Sequence, residues 1–147
     1  MPRFCIRDMC QDDLEAVISI EMYSFTTPWS QTVFYEEMSN PLSILKVAES
    51  NGNVVGYICA SHIMGEGHIL DLAVSILYRR MGIATILIEN IIAVLKEYSC
   101  SKVCLEVRAG NRAAIEMYRK LEFVESSRSK GYYRQPREDA VIMLRDL

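Results

Sequence analysis

Arg79, Arg80 and Gly82 stand together in VSILYRRMGIATILIENIIAVL, Val74 to Leu95, where a short apolar stretch gives way to a long one. A helix start carries unpaired N–H groups and partial positive charge, so two arginines and a glycine there suit a phosphate group. Gly82 removes a side chain where a ligand would approach the backbone. A solvated basic helix start has the same composition, and this segment alone does not separate the two. Established nucleotide motifs fit poorly. A phosphate-binding loop needs a Gly-Lys pair, which the chain lacks, and a dinucleotide fingerprint needs more glycines than this segment holds.

The totals narrow the field. A chain of 147 residues suits one domain with one core, expected over residues 1–147. Net charge is −3, which gives a nucleic-acid partner no global electrostatic support. The longest apolar stretch, Ile83 to Leu95, is broken by Thr85, Glu89 and Asn90, so no membrane span is expected. The opening MPRFCIRDMCQDD lacks the basic-then-apolar order of a secretion signal. Five cysteines without a CxxC pair, and two histidines, argue for reduced thiols and no metal site. The expectation is a cytoplasmic protein, and a monomer, since no apolar element is left over.

The elements that would position Arg79 to Gly82 can be read from periodicity. Arg3 to Arg7 reads as a short strand. Gln11 to Tyr23 places Leu14, Val17, Ile18 and Met22 at helical spacing. Pro28 ends that run, Ser30 caps a short helix through about Met38, and Pro41 stops it. Asn51-Gly52 between two β-rich runs marks a hairpin. Gly65 and Gly67 mark a further turn before HILDLAVSI, and Tyr78 to Tyr98 reads as a long helix. In KVCLEVRA, Val103, Leu105 and Val107 alternate with Cys104, Glu106 and Arg108. Asn111 caps a helix through about Leu121, and two strands close the chain. The order β-α-α-β-β-β-α-β-α-β-β predicts an α/β fold: a mixed sheet of about seven strands with helices on both faces.

Arg79-x-x-Gly82-x-Ala84 resembles the [RQ]xxGx[GA] signature of the GNAT acyltransferase superfamily, and the order of elements is also that family's. The resemblance implies that Arg79, Arg80, Met81, Gly82, Ile83, Ala84 and Thr85 cradle the pyrophosphate of acetyl-CoA. It also implies that pantetheine lies along Leu72, Ala73 and Val74, with the Val74 N–H offered to the thioester carbonyl. One departure is Ile76-Leu77, where many members have a proline; a changed bend without loss of binding is expected. LEVRAGNRAAIEMYRKLEF, Leu105 to Phe123, is similar to the LEVR-x-x-N-x-x-A-x-x-x-Y pattern of N-terminal protein acetyltransferases. FTTPWS and GYYRQPREDAVIM resemble the bacterial ribosomal-protein-alanine acetyltransferases of the RimI type. These segments together span nearly the whole chain.

The reaction so implied is attack of a neutral amine on a thioester, with proton removal, oxyanion stabilisation and protonation of the leaving thiolate. Glu106 is a candidate general base; it reads equally as the partner of Arg108 or a lysine. In the resembling bacterial enzymes the matching glutamate is the base. Tyr118, about two turns beyond Asn111, is either a core aromatic or the acid that the family places there. Asn111 serves as a helix cap, a CoA contact, or both. His68 has a matching histidine in archaeal N-terminal acetyltransferases, working with the strand glutamate through water; alone it reads as structural. His62 has no such match and reads as a surface or sheet histidine. Cys104 has no histidine beside it in sequence, so a direct transfer is expected.

An α-amine has pKa about 8 against about 10.4 for lysine, so its neutral fraction at pH 7 is roughly 250-fold greater. One glutamate without a strong base beside it therefore suits an N-terminus. Phe25, Pro28 and Trp29 form one expected wall of the substrate site; Tyr132, Tyr133 and Asp139 form the other. Trp29 reads also as a plug between helices, Tyr132 and Tyr133 as hairpin packing, and Asp139 as a turn cap. The expected substrate is a protein N-terminus, with a ribosomal protein beginning in alanine suggested by the RimI resemblance. A small-molecule amine and a non-catalytic acyl-CoA-binding module are the other readings.

Overall fold

The computed structural model describes residues 3–147; the first two residues of the segment read for a secretion signal lie outside it. The strands are β1 (Cys5–Asp8), β2 (Ser43–Ser50), β3 (Asn53–Ile63), β4 (Glu66–Val74), β5 (Lys102–Arg108), β6 (Val124–Arg134) and β7 (Arg137–Asp146). The helices are α1 (Leu14–Ser24), α2 (Gln31–Ser39), α3 (Ile83–Glu97) and α4 (Arg112–Lys120). All strands join one seven-stranded sheet in the order β1-β2-β3-β4-β5-β7-β6. Every pairing is antiparallel except β4 with β5.

Local chemistry explains most of these boundaries. Asn51 and Gly52 both have left-handed backbones, φ 51° and 82°, as the hairpin turn between β2 and β3 requires. Ser30 accepts a hydrogen bond from the Val33 N–H and opens α2. Gly67 is not a turn residue. It lies inside β4, where a Cβ would stand 2.6 Å from Leu95, so its role is close packing of α3. The turn itself is Met64-Gly65, φ 52° and 80°. The long helix begins later than its apolar pattern suggests. Ile76 to Tyr78 form a 3₁₀ turn, Arg79 is extended, and α3 opens only at Ile83.

Helices cover both faces of the sheet. On one, α3 and α4 pack Leu87, Ile91 and Ile115 onto Ile58, Val103 and Leu105. On the other, α1 and α2 pack Val17 and Phe34 onto Val47, Tyr57 and Cys59. Arg7 ties β1 to the start of α1 and to β2, donating to Asp13 at 2.8 and 2.9 Å and to Glu49 at 2.6 Å.

Two irregularities shape the centre. The parallel pairing of β4 and β5 runs only from Glu66/Lys102 to His68/Cys104, after which the strands part. In β4 a bulge at Leu70 shifts the register, since Ile69 faces Ala60 while Asp71 faces Cys59. Ile69, Leu72 and Val74 therefore pack towards α3, and Ala73 packs towards α1.

Candidate active site

The parted strands open a cleft of ≈ 950 Å³. Its walls are the free part of β4, the end of β5, the end of α1 with the following loop, one face of α4, and the β6–β7 turn.

At one end stands the start of α3. Its N-cap Gly82 has φ 80° and no side-chain cap, so the Ile83, Ala84 and Thr85 N–H groups have no partner within the helix. Open space surrounds a Cβ built on Gly82, so the backbone angle, not room, is what calls for glycine. Arg80 also has a left-handed backbone, φ 65°. Successive amides in such conformations make a concavity that suits an anion. Arg79 does different work. Its Nε donates to the Val74 carbonyl at 3.0 Å and its Nη2 to Ser24 Oγ at 3.3 Å, bracing the loop against β4 and α1. Arg79, Arg80, Gly82, Ile83, Ala84 and Thr85 line the cleft, whereas Met81 does not. Ile76 and Leu77, in place of a proline, are exposed on the 3₁₀ turn.

In the middle, alternation on β5 turns Leu105 and Val107 into the α3 core and leaves Glu106 on the other face. His68 reaches Glu106 from β4, Nε2 to Oε2 at 2.6 Å. Glu106 is thus held by an imidazole and not by Arg108. Arg108 instead donates to the carbonyls of Pro136 and Gln135 at 3.0 and 3.1 Å and stacks 4.2 Å above the Tyr133 ring. Tyr118 lines the cleft from α4, packed edge-on against Phe123 at 5.6 Å. Burial raises its phenol pKa, so it remains a donor. Asn111 lines the cleft while its side chain caps α4 through the Ala114 N–H at 3.2 Å. Cys104 shares the face of Glu106, but burial and then the Glu106 charge push its thiol pKa up, against a thiolate nucleophile. His62 pairs with Gly67, next to His68, but on the α3 side of the sheet, where it stacks on Tyr98 with ring centres 4.2 Å apart.

At the far end the two expected walls meet. Thr26 Oγ1 donates to the Gln135 carbonyl at 2.9 Å, joining the α1–α2 loop to the β6–β7 turn. Phe25, Trp29 and Tyr133 line the cleft. Pro28, Tyr132 and Asp139 do not: Tyr132 packs edge-on against Tyr133 at 5.0 Å, and Asp139 accepts from the Gly131 N–H at 2.8 Å.

Sequence reasoning missed a second acidic group. Glu21 is buried, accepts from the Tyr57 hydroxyl, and accepts from the Trp29 N–H at 2.8 Å. Beside it the Asp71 carboxyl is held well above the ordinary carboxylate range, first by burial and then by Glu21. The signals were visible in principle. Glu21 lies one turn after Val17 on the buried face of α1, and Asp71 interrupts the apolar run of β4.

A parted β4–β5 pair above an anion-ready helix start, with a carboxylate and a phenol facing the gap, defines an acyl-group transferase. The chain belongs to the acetyltransferase (GNAT) family, which it matches over residues 9–123. It is 32% identical over 133 residues to the [ribosomal protein bS18]-alanine N-acetyltransferase of Escherichia coli, covering 89% of each chain. It is 32% identical over 157 residues to the N-alpha-acetyltransferase of Saccharolobus solfataricus, covering 98% of this chain and 93% of that one. The crystal structure of the E. coli ribosomal-protein-S18-alanine enzyme superposes with TM-score 0.91 at 29% identity, over 98% of this chain and 94% of that one. Arabidopsis thaliana NAA60 in complex with acetyl-CoA shares the fold, with TM-score 0.90 at 21% identity over 99% of both chains.

Proposed function

We propose that this chain, working as one catalytic domain, transfers the acetyl group of acetyl-CoA to the α-amino group of a protein N-terminus. The observation that carries the reading is the His68–Glu106 pair on the face of the gap between β4 and β5, with Tyr118 lining the same cleft. Likeness to the E. coli and S. solfataricus enzymes supports the N-terminal target, and an alanine-initiated ribosomal protein is the specific candidate.

The residues present fit the cosubstrate. The unpartnered N–H groups of Ile83, Ala84 and Thr85 suit its diphosphate. Leu72, Ala73 and Val74, on the stretch of β4 that has left β5, offer backbone groups to its pantetheine amides. Bound there, it supplies an activated thioester to an amine. Glu106, oriented by His68, takes the amine proton directly or through water. The Val74 N–H stabilises the charge developing on the carbonyl oxygen. Tyr118 donates its hydroxyl proton to the departing sulfur. The Thr26–Gln135 bridge narrows the amine's entrance, which favours a chain end over a broad substrate.

Peptides beginning Ala, Ser or Met, together with a set of small amines, separate the readings when incubated with acetyl-CoA and read by mass spectrometry. Acetylated peptides are expected. Acetylation of small amines alone would replace this proposal with a small-molecule one, and binding of acetyl-CoA without any product would point to a binding module.

A further inference from the structure

Asp71 has no task in the reaction just described, yet it lines the cleft and is only 9% exposed. The Asp71 and Glu21 carboxyls are close enough to perturb one another, and a hydrogen bond between them would require one shared proton. Which carboxyl keeps that proton follows from the partners. Glu21 already accepts from the Tyr57 hydroxyl on one oxygen and from the Trp29 N–H on the other, so both its oxygens act as acceptors. Among the described residues no side chain donates to Asp71, and its Oδ2 is buried without a partner. The bulge at Leu70 is what turns Asp71 to the α1 side, the face that also carries His68 and Glu106. Glu21 in turn holds Trp29, whose loop is a wall of the cleft.

We propose that Asp71 is a positioning residue for the substrate's α-amino group, one carboxyl oxygen tied through its proton to Glu21 and the other accepting an N–H from the amine. The pair carries one net negative charge between its members, which suits an arriving ammonium and disfavours a blocked or acidic chain end. Glu106 then removes the proton from an amine already seated. This inference rests on the N-terminal reading above and adds to it the group that recognises the amine.

The test compares binding of an alanine-initiated peptide and its des-amino analogue to the protein with CoA bound, by titration calorimetry. Wild type should prefer the amine about 10- to 100-fold, the range of a hydrogen bond to a charged group. Asp71→Leu should erase most of that preference with CoA affinity unchanged, which also shows that the variant is folded. Asp71→Asn, which can still donate to Glu21 and accept from the amine, should restore most of it. A full preference retained in Asp71→Leu would overturn the proposal, as would Asp71→Asn behaving like Asp71→Leu. Infrared spectroscopy gives a check that needs no substrate: a protonated-carboxyl band at neutral pH, lost in Asp71→Asn. Its absence from wild type would overturn the shared proton. A wild type that binds CoA but acetylates no α-amine would overturn the N-terminal reading itself, and that outcome is distinct from loss of the preference in one variant.

Discussion

Two carboxylate sites share one face of the sheet and are built in opposite ways. Glu106 is part-exposed in the gap between β4 and β5, and its partner is an imidazole 2.6 Å away. Asp71 and Glu21 are buried, and their partners are each other, a phenol and a backbone amide. A carboxylate that must take a proton in every turnover needs access to water and a partner that returns it to its orientation. A carboxyl that must hold a shape needs burial and a proton that does not leave. On the proposed reading the difference separates a reacting group from a seat, and each prediction tests that division.

Replacing Glu106 by Gln should lower kcat/KM about 10²- to 10⁴-fold, the usual worth of a general base, with acetyl-CoA affinity unchanged by calorimetry. An equal loss in Asp71→Asn would break the division. Tyr118→Phe should lower kcat by roughly 10² at saturating substrates while both KM values hold, measured in steady state.

Stability against pH should separate two buried carboxyls by sign. Arg7 holds the Asp13 carboxyl down to about 2, from an ordinary 3.8. That contribution, about 2 kcal/mol, is present above the ordinary value and lost as pH falls through the lowered one. Asp71 is shifted upwards, so stability falls as pH rises from the ordinary carboxylate value towards the raised one. The titratable groups on its side of the sheet are Glu21 from α1 and Tyr57 and Cys59 from β3. Urea unfolding across pH should show Asp13→Asn losing stability relative to wild type at neutral pH. Asp71→Asn should gain on wild type as pH rises.

The smallest effect concerns the cradle. Gly82→Val would force a branched side chain to φ 80°, costing about 1–2 kcal/mol, and should weaken acetyl-CoA binding about 5- to 30-fold without touching the pH profile of kcat.

The order of elements was legible because its signals are local. Asn51-Gly52 needs only a turn, Ser30 only a free N–H, and the β5 alternation only a buried face. The cleft depends on facts that no short window carries. His68 meets Glu106 across 38 positions, through a parallel register that lasts three residue pairs. Tyr57 meets Glu21 across 36 positions, and Asp71 reaches the same cluster only because of a bulge. Periodicity starts the long helix at Tyr78, whereas left-handed residues at Arg80 and Gly82 delay α3 to Ile83. Gly67 was misassigned for a related reason: a glycine needed for packing looks like one needed for turning.

The claim on which the rest depends is that the gap between β4 and β5 delivers an acetyl group to an α-amine under the control of Glu106. A peptide carrying both a free N-terminal alanine and an internal lysine, incubated with acetyl-CoA and sequenced by tandem mass spectrometry, tests it most directly. Acetyl on the α-nitrogen alone, at a rate that collapses in Glu106→Gln, is the predicted result. Acetyl on the lysine, or an α-acetylation rate untouched by Glu106→Gln, would contradict the account.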